Sequence, residues 1–380
     1  MTGIPSAYRE AFGAPEGYLN FASYGPPAAE VVQESARLLN LAHTGADSGR
    51  HLHTADARAL AAVSRLSGFR AQNVGLVPST SHGLFQTAFG MPQGEVLVSP
   101  AEFPANLYPW WRARDAGLLQ VRPMLEPPGR SDPAGQGGVR VTPELVASCL
   151  TPRTVAVSVS AVDFRTGFRA DLAGLRDVVG DRLLVVDGIQ GFGVADMPWE
   201  AADVLVAGGQ KWMRAGWGTG FLALSDRALE RLGTTLGGWT GVEEPSQYDG
   251  GEHPLREGAA RFSVTNGSPF ASGALAAALE LAESVGVPCI QSVVTERVDR
   301  LIERLDEAGV AVVSPRQCRD RAGIVAAHFD DGTAPAKHAR LAEAGITTTL
   351  HGGDRIRMAV HATTTEAAVD AAASILKGTP

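Results

Sequence analysis

Two ionisable side chains stand where buried apolar runs end: Asp187, which closes LLVVD, and Lys211, three residues past VLVAG in the stretch GGQKW. In an open parallel sheet, ligands collect beyond the carboxyl ends of the strands, so both side chains are expected in one crevice. An amine placed there can form an imine with an aldehyde. A carboxylate beside it can keep a pyridine nitrogen protonated and so make the ring an electron sink. These are the two groups that pyridoxal phosphate (PLP) needs, Lys211 for the imine and Asp187 for the ring nitrogen. Each taken singly has an ordinary alternative, a surface lysine after a strand or a helix N-cap. The pair, in this order and context, points to the cofactor.

Asp187-Gly188-Ile189-Gln190 resembles the DGxQ motif of class V aminotransferases and cysteine desulfurases, which are fold-type I PLP enzymes, and GGQKW resembles their lysine motif. The resemblance implies that Asp187 meets the pyridine nitrogen and Gln190 the phenolic oxygen. Upstream, VPSTSHGLFQTAF is similar to the group's phosphate-binding stretch and implies that Thr80 and Ser81 hold the phosphate. The physics agrees, because small residues opening a helix offer free N–H groups and a positive dipole end to an anion, although a plain Ser/Thr N-cap would read the same way.

AEFPANLYPW is similar to the segment whose residue after Glu stacks on the pyridine ring, which implies that role for Phe103. Desulfurases carry His there, so this chain keeps a flat surface and loses an acid/base group. SAVDFRTGFRADL resembles a strand-loop segment near the cofactor, with Asp163 where Asn or Gln is more usual. Gln210 stands where desulfurases have His, and Gly208 where they often have a phosphate-binding Ser.

RFSVTNGSPF resembles a loop that crosses to the neighbouring subunit's phosphate in family dimers, which puts Ser268 forward and implies a homodimer. GDRIRMAVHATTTEAAVD resembles the segment whose arginine grips the substrate α-carboxylate, here Arg357. A planar guanidinium suits that task because it can make two parallel charge-assisted hydrogen bonds to one carboxylate. Arg355 shares its face by strand alternation. GRHLHT resembles a substrate-side loop, which implies a place for His51 at the entrance; the HxH spacing of His51 and His53 has no obvious acidic or Cys ligand to complete a site, so no metal is expected.

The likeness runs from YLNFASYGPP near residue 18 to Arg357 and implies an enzyme acting on an amino acid, with transamination as the first reading. A C–S or selenocysteine-type lyase or an epimerase is the alternative, and a PLP-binding protein without turnover is a third. AEAGITTTLHGGDRIR, just before Arg357, holds no cysteine, which disfavours desulfuration through an enzyme persulfide.

The elements that must position these groups can also be read. Apolar runs at VGLVPS, EVLVSP, TVAVSVS, RLLVVDG, ADVLVAGG and GFLALS alternate with amphipathic stretches, as in an α/β fold with a mostly parallel sheet sandwiched by helices. Residues 18–270 are expected to form a large PLP-binding domain and residues 271–380 a smaller C-terminal α/β domain on which residues 1–17 pack. The Pro/Gly-rich stretch 126–138 reads as an exposed loop.

With 380 residues and 44% hydrophobic content, the chain can bury such a core. A net charge of -8 without a Lys/Arg-rich stretch argues against a nucleic-acid partner. No apolar run of membrane-spanning length and no signal-peptide pattern is seen, so a cytoplasmic location is expected. Cys149, Cys289 and Cys318 are scattered without disulfide or zinc spacing.

Overall fold

The computed structural model describes residues 3–45, 49, 52–125 and 139–377. Stretch 126–138 therefore lies outside the described residues, as does His51. Seven strands form the main sheet: β1 (Val74–Leu76), β2 (Glu95–Val98), β3 (Gln120–Pro123), β4 (Thr154–Ser160), β5 (Leu183–Asp187), β6 (Val204–Gly208) and β7 (Gly220–Leu224). Their spatial order is β1-β7-β6-β5-β4-β2-β3. From β3 through β6 all pairs are parallel, while β7 lies antiparallel to both β6 and β1. Only a short loop joins β6 to β7, too short for a helical crossover, so the chain returns in the opposite direction.

Successive strand side chains point to opposite faces, and here both faces are buried. Leu97, Val157, Val159, Leu184, Val186, Leu205 and Ala207 join one core with the helices Thr54–Ser67 and Pro269–Val285. Val96, Val98, Ala156, Leu183, Val185, Val204 and Val206 join another with the helices Thr80–Gly90 and Tyr108–Asp115. This two-sided burial explains the near-continuous apolar runs and makes the fold the α/β sandwich expected. The edge strand β3, QVRP, has no apolar run, and only the structure reveals it.

A second sheet, in the order β10-β11-β9-β8, is antiparallel throughout: β8 (Ala311–Val312), β9 (Ile324–His328), β10 (Thr349–His351) and β11 (Arg355–Ala359). The helix Val287–Glu307 packs on it through Ile290, Val294, Val298, Leu301 and Leu305, a stripe at helical spacing. Gly286, at φ +87°, ends the helix Pro269–Val285 and starts this one in a conformation disfavoured for L side chains. Ile4 and Tyr8 are buried with this second core. No single helix among the described residues is long and apolar enough to cross a membrane.

Residues 18–26 connect the two sheets with the helices packed on them, the seven-stranded first unit and the four-stranded second unit. Tyr18 bridges to Thr347 and Asn20 to Ala359, the last residue of β11, while Gly25 N–H donates to the Gln210 carbonyl at 2.8 Å. The chain therefore threads between the C-terminal ends of β5 and β6 and the strand that carries Arg357.

Candidate active site

Ser160, Asp187 and Val206 lie side by side in register across β4, β5 and β6, which places Asp187 at the carboxyl edge of the parallel sheet. Its side chain is 2% exposed, and Oδ1 accepts from Ile189 N–H at 2.9 Å. Burial pushes its pKa up to about 6, against the pull of the Ile189 amide and of the Lys211 charge. Lys211 is 7% exposed, and burial brings its amine down to about 8 although Asp187 favours the charged form. A buried carboxylate and a buried amine thus share one crevice, each pushed toward neutrality.

Phe103 faces the same crevice. Its ring centroid lies 5.1 Å from Lys211 Nζ and 5.1 Å, edge-on, from the ring of Phe164. At 40% exposure it is an open aromatic face and not a core residue. Glu102, which sequence reasoning passed over, holds this loop to the sheet by accepting from the N–H of Ser160 at 2.8 Å and from its hydroxyl. Burial is the main cause that raises its carboxyl to about 7, and the nearby Asp187 charge adds to it. A carboxylate directly before Phe103 was the available signal.

Beyond β6, the helix Thr80–Gly90 points its first turn at the strand end. Ser79 caps it by accepting from His82 N–H at 3.2 Å. The N–H groups of Thr80 and Ser81 have no partner within the helix, as for any first turn. Thr80 Oγ1 accepts from Gly208 N–H at 2.8 Å, which pins the helix to β6 and leaves the hydroxyl hydrogen to donate. A Cβ on Gly208 would lie 2.6 Å from Gln210 Oε1 and 3.2 Å from Thr80 Oγ1, so glycine keeps this corner open. Ser81 is partly exposed beside it.

Four other expected groups fall in separate places. Gln190 lies in the crevice wall, its Nε2 donating to Ala22 O at 3.0 Å and its Oε1 accepting from Trp212 Nε1 at 2.8 Å. Asp163 is spent locally: Oδ1 accepts from Arg165 N–H, Thr166 N–H and the Thr166 hydroxyl, and Oδ2 pairs with Arg165 at 3.3 Å. Arg357, 4% exposed on β11, donates to Phe164 O at 2.8 Å and to Ser23 Oγ at 2.7 Å. Its Nε has no partner among the described residues, and burial lowers its pKa to about 10. Ser23, Thr349 and His351 line this corner and were not singled out in the sequence. Ser23 lies in YLNFASYGPP and Thr349 and His351 in the stretch just before Arg357, but their meeting depends on the register of β10 with β11 and on the path of residues 18–26. Ser268 is exposed away from this corner, capping the helix Pro269–Val285 beside a cavity of about 200 Å³ that His82, Gln86 and Thr219 also line.

The aminotransferase class-V family model matches residues 40–374. A kynureninase of Deinococcus radiodurans is 26% identical over 314 residues, covering 79% of this chain and 72% of that protein. Isopenicillin N epimerase of Streptomyces clavuligerus is 32% identical over 161 residues, 41% of this chain and 38% of that protein. A cysteine desulfurase from Thermococcus onnurineus NA1 superposes with a TM-score of 0.86 at 18% identity, covering 99% of this chain and 98% of the other. The cystine C–S lyase C-DES, solved with cysteine persulfide, gives 0.85 at 20% identity, covering 96% and 98%.

The residues present fit PLP. An amine of lowered pKa faces an aromatic ring, a carboxylate is buried beside it, and free amides surround a corner that a Cβ at Gly208 would fill. The matched family covers most of the chain, and its cofactor suits the chemistry of this crevice: the chain belongs to the class V aminotransferase family of PLP-dependent enzymes.

Proposed function

We propose that this enzyme transforms an amino acid by proton transfer at Cα, with Lys211 as both the attachment point of the cofactor and the base. One observation carries this reading. The chain has only three lysines, Lys211, Lys337 and Lys377. Lys337 Nζ donates to Leu376 O at 2.9 Å inside the second unit, and Lys377 follows the last helix. Lys211 alone lies at the sheet end beside a buried carboxylate.

When bound, PLP supplies an aldehyde for amine exchange and a protonated ring that takes up the electrons left at Cα. The chain's residues do the rest. Asp187 holds the proton on the ring nitrogen, and its burial strengthens that contact. Phe103 covers the ring face and keeps water from it. The Thr80 and Ser81 amides and the Thr80 hydroxyl hold the phosphate. The spare Nε2 hydrogen of Gln190 serves the phenolic oxygen, and Gln210 and Asp163 shape the rim.

Arg357 exchanges Ser23 Oγ and Phe164 O for the substrate α-carboxylate, a stronger charge-assisted partner. Lys211 Nζ then removes the Cα proton, and a pKa of about 8 leaves a useful neutral fraction at neutral pH. Ser268 across a homodimer interface completes the proposed site, and His51, outside the described residues, is proposed from the sequence alone as a substrate contact.

Transamination is the first reading. Neither curated relative above is named as an aminotransferase, which favours a second reading as a lyase or epimerase. No cysteine lies between β9 and Arg357, so a persulfide carrier is not part of the proposal. Incubation of the holoenzyme with an amino-acid panel separates these. Accumulating pyridoxamine phosphate supports transamination, whereas 2-oxo-acid release or loss of optical activity with unchanged cofactor supports the second reading. No spectral response to any amino acid contradicts both.

A further inference from the structure

Arg214 has no part in the chemistry above, yet it is 1% exposed and among the largest fully buried side chains. No carboxylate among the described residues pairs with it, and the titratable groups that favour its charged form are the phenols of Tyr8, Tyr18 and Tyr24, that of Tyr8 held neutral by burial. Its guanidinium sits 3.7 Å from the ring centroid of Phe12 and 5.0 Å from that of Phe21. Such contacts are strongest when desolvated.

The hydrogen bonds run to three parts of the chain. Arg214 N–H donates to Lys211 O at 3.1 Å, Nε to Pro26 O at 2.7 Å, and Nη1 to Thr363 Oγ1 at 3.3 Å beside His361. Thr363 lies six residues beyond Arg357. The backbone of Arg214 has φ +58°, an uncommon value for a non-glycine residue. Such a conformation is strained for an L side chain and persists only where surrounding contacts enforce it. Gly25 belongs to the same arrangement, since a Cβ there would lie 2.1 Å from Lys211 O and 2.7 Å from Arg214 Cγ.

We propose that Arg214 is a positioning residue for Lys211: its guanidinium, wedged against Phe12 and Phe21, locks the lysine turn to residues 18–26 and to the chain leaving β11. The two groups that meet the substrate, Lys211 and Arg357, are thereby held in one frame although they come from different units. The proposal rests on the reading of Lys211 as the reactive lysine. Its test therefore follows the Lys211 amine itself, in protein free of cofactor.

The variant is Arg214→Met, which keeps most of the apolar volume and removes the donors. In cofactor-free protein, the pH dependence of Lys211 acylation is measured by peptide mapping, with Lys377 as internal reference. Loosening the turn admits water to the amine, so the Lys211 midpoint rises by about one pH unit, roughly tenfold less neutral amine at pH 7. The rate of PLP loading falls by a similar factor. A merely structural role would lower the melting temperature and leave both quantities at wild-type values, and that result overturns the proposal. Should Arg214→Met not fold, Phe12→Leu weakens the same clamp and is expected to shift the midpoint in the same direction by less; an unmoved midpoint there is equally fatal. PLP found on another lysine would sink the reading of the active site, while the acylation result for Arg214 would stand separately.

Discussion

Replacing Lys211 by Met should stabilise the cofactor-free protein at neutral pH. In the folded chain the amine is held at about 8 against an ordinary 10.5, chiefly by burial. The folded state thus binds a proton less readily than the unfolded state. Stability from this group is complete above pH 10.5 and is lost as pH falls through about 8. The difference amounts to roughly 3 kcal/mol at neutral pH. Methionine fills a similar volume without a charge. Asp187 loses its cation in the variant and takes up a proton more readily, which trims the gain to about 1–3 kcal/mol. For a chain of this size, each kcal/mol moves the melting temperature by about 2–4 °C or less. Melting curves of cofactor-free wild type and Lys211→Met at pH 7 and pH 10.5 provide the assay. The variant should melt several degrees higher at pH 7, with the gap shrinking at pH 10.5. A gap independent of pH, or a less stable variant at pH 7, refutes the view that Lys211 is a buried, destabilising amine kept for function.

Three further outcomes follow from the geometry. Arg357→Ala should weaken binding of amino acids and of simple carboxylates by about 30-fold or more, the cost of removing one partner of a buried charge pair, about 2–5 kcal/mol; unchanged substrate affinity assigns carboxylate recognition elsewhere. Thr80→Val leaves Gly208 N–H without its acceptor at a cost of about 1–3 kcal/mol, so PLP affinity measured by equilibrium dialysis should fall, and wild-type affinity contradicts the phosphate-site assignment. Glu102 is raised from 4.5 to about 7, so its contribution to stability is present below pH 4.5 and lost as pH rises through 7; cofactor-free Glu102→Gln should gain on wild type in melting temperature between pH 4.5 and 8, and a constant difference argues against a buried carboxylic acid there.

Much of this arrangement was legible because the strands are buried on both faces. A run such as LLVVD cannot be anything but interior, and the charged residue that ends it stands out. Asp187 and Lys211 were visible for that reason, and so was the small-residue helix start at Thr80. What escaped were features set by tertiary register. QVRP pairs as an edge strand although it has no apolar pattern. Ser23 and Thr349 reach Arg357 only because residues 18–26 run alongside β11. Asp163, placed near the cofactor by resemblance, is tied into its own turn by Thr166 and Arg165, as Asp side chains often are. Arg214 gave no signal at all, since a lone arginine after a strand reads as a surface charge until its burial is seen.

The central claim is the covalent role of one lysine, and borohydride reduction of the holoenzyme followed by peptide mapping tests it most directly. With only three lysines in the chain, the outcome is unambiguous. The account predicts a single phosphopyridoxyl group on the peptide containing Lys211. Label on Lys337 or Lys377, or no label in protein that has bound PLP, would contradict it.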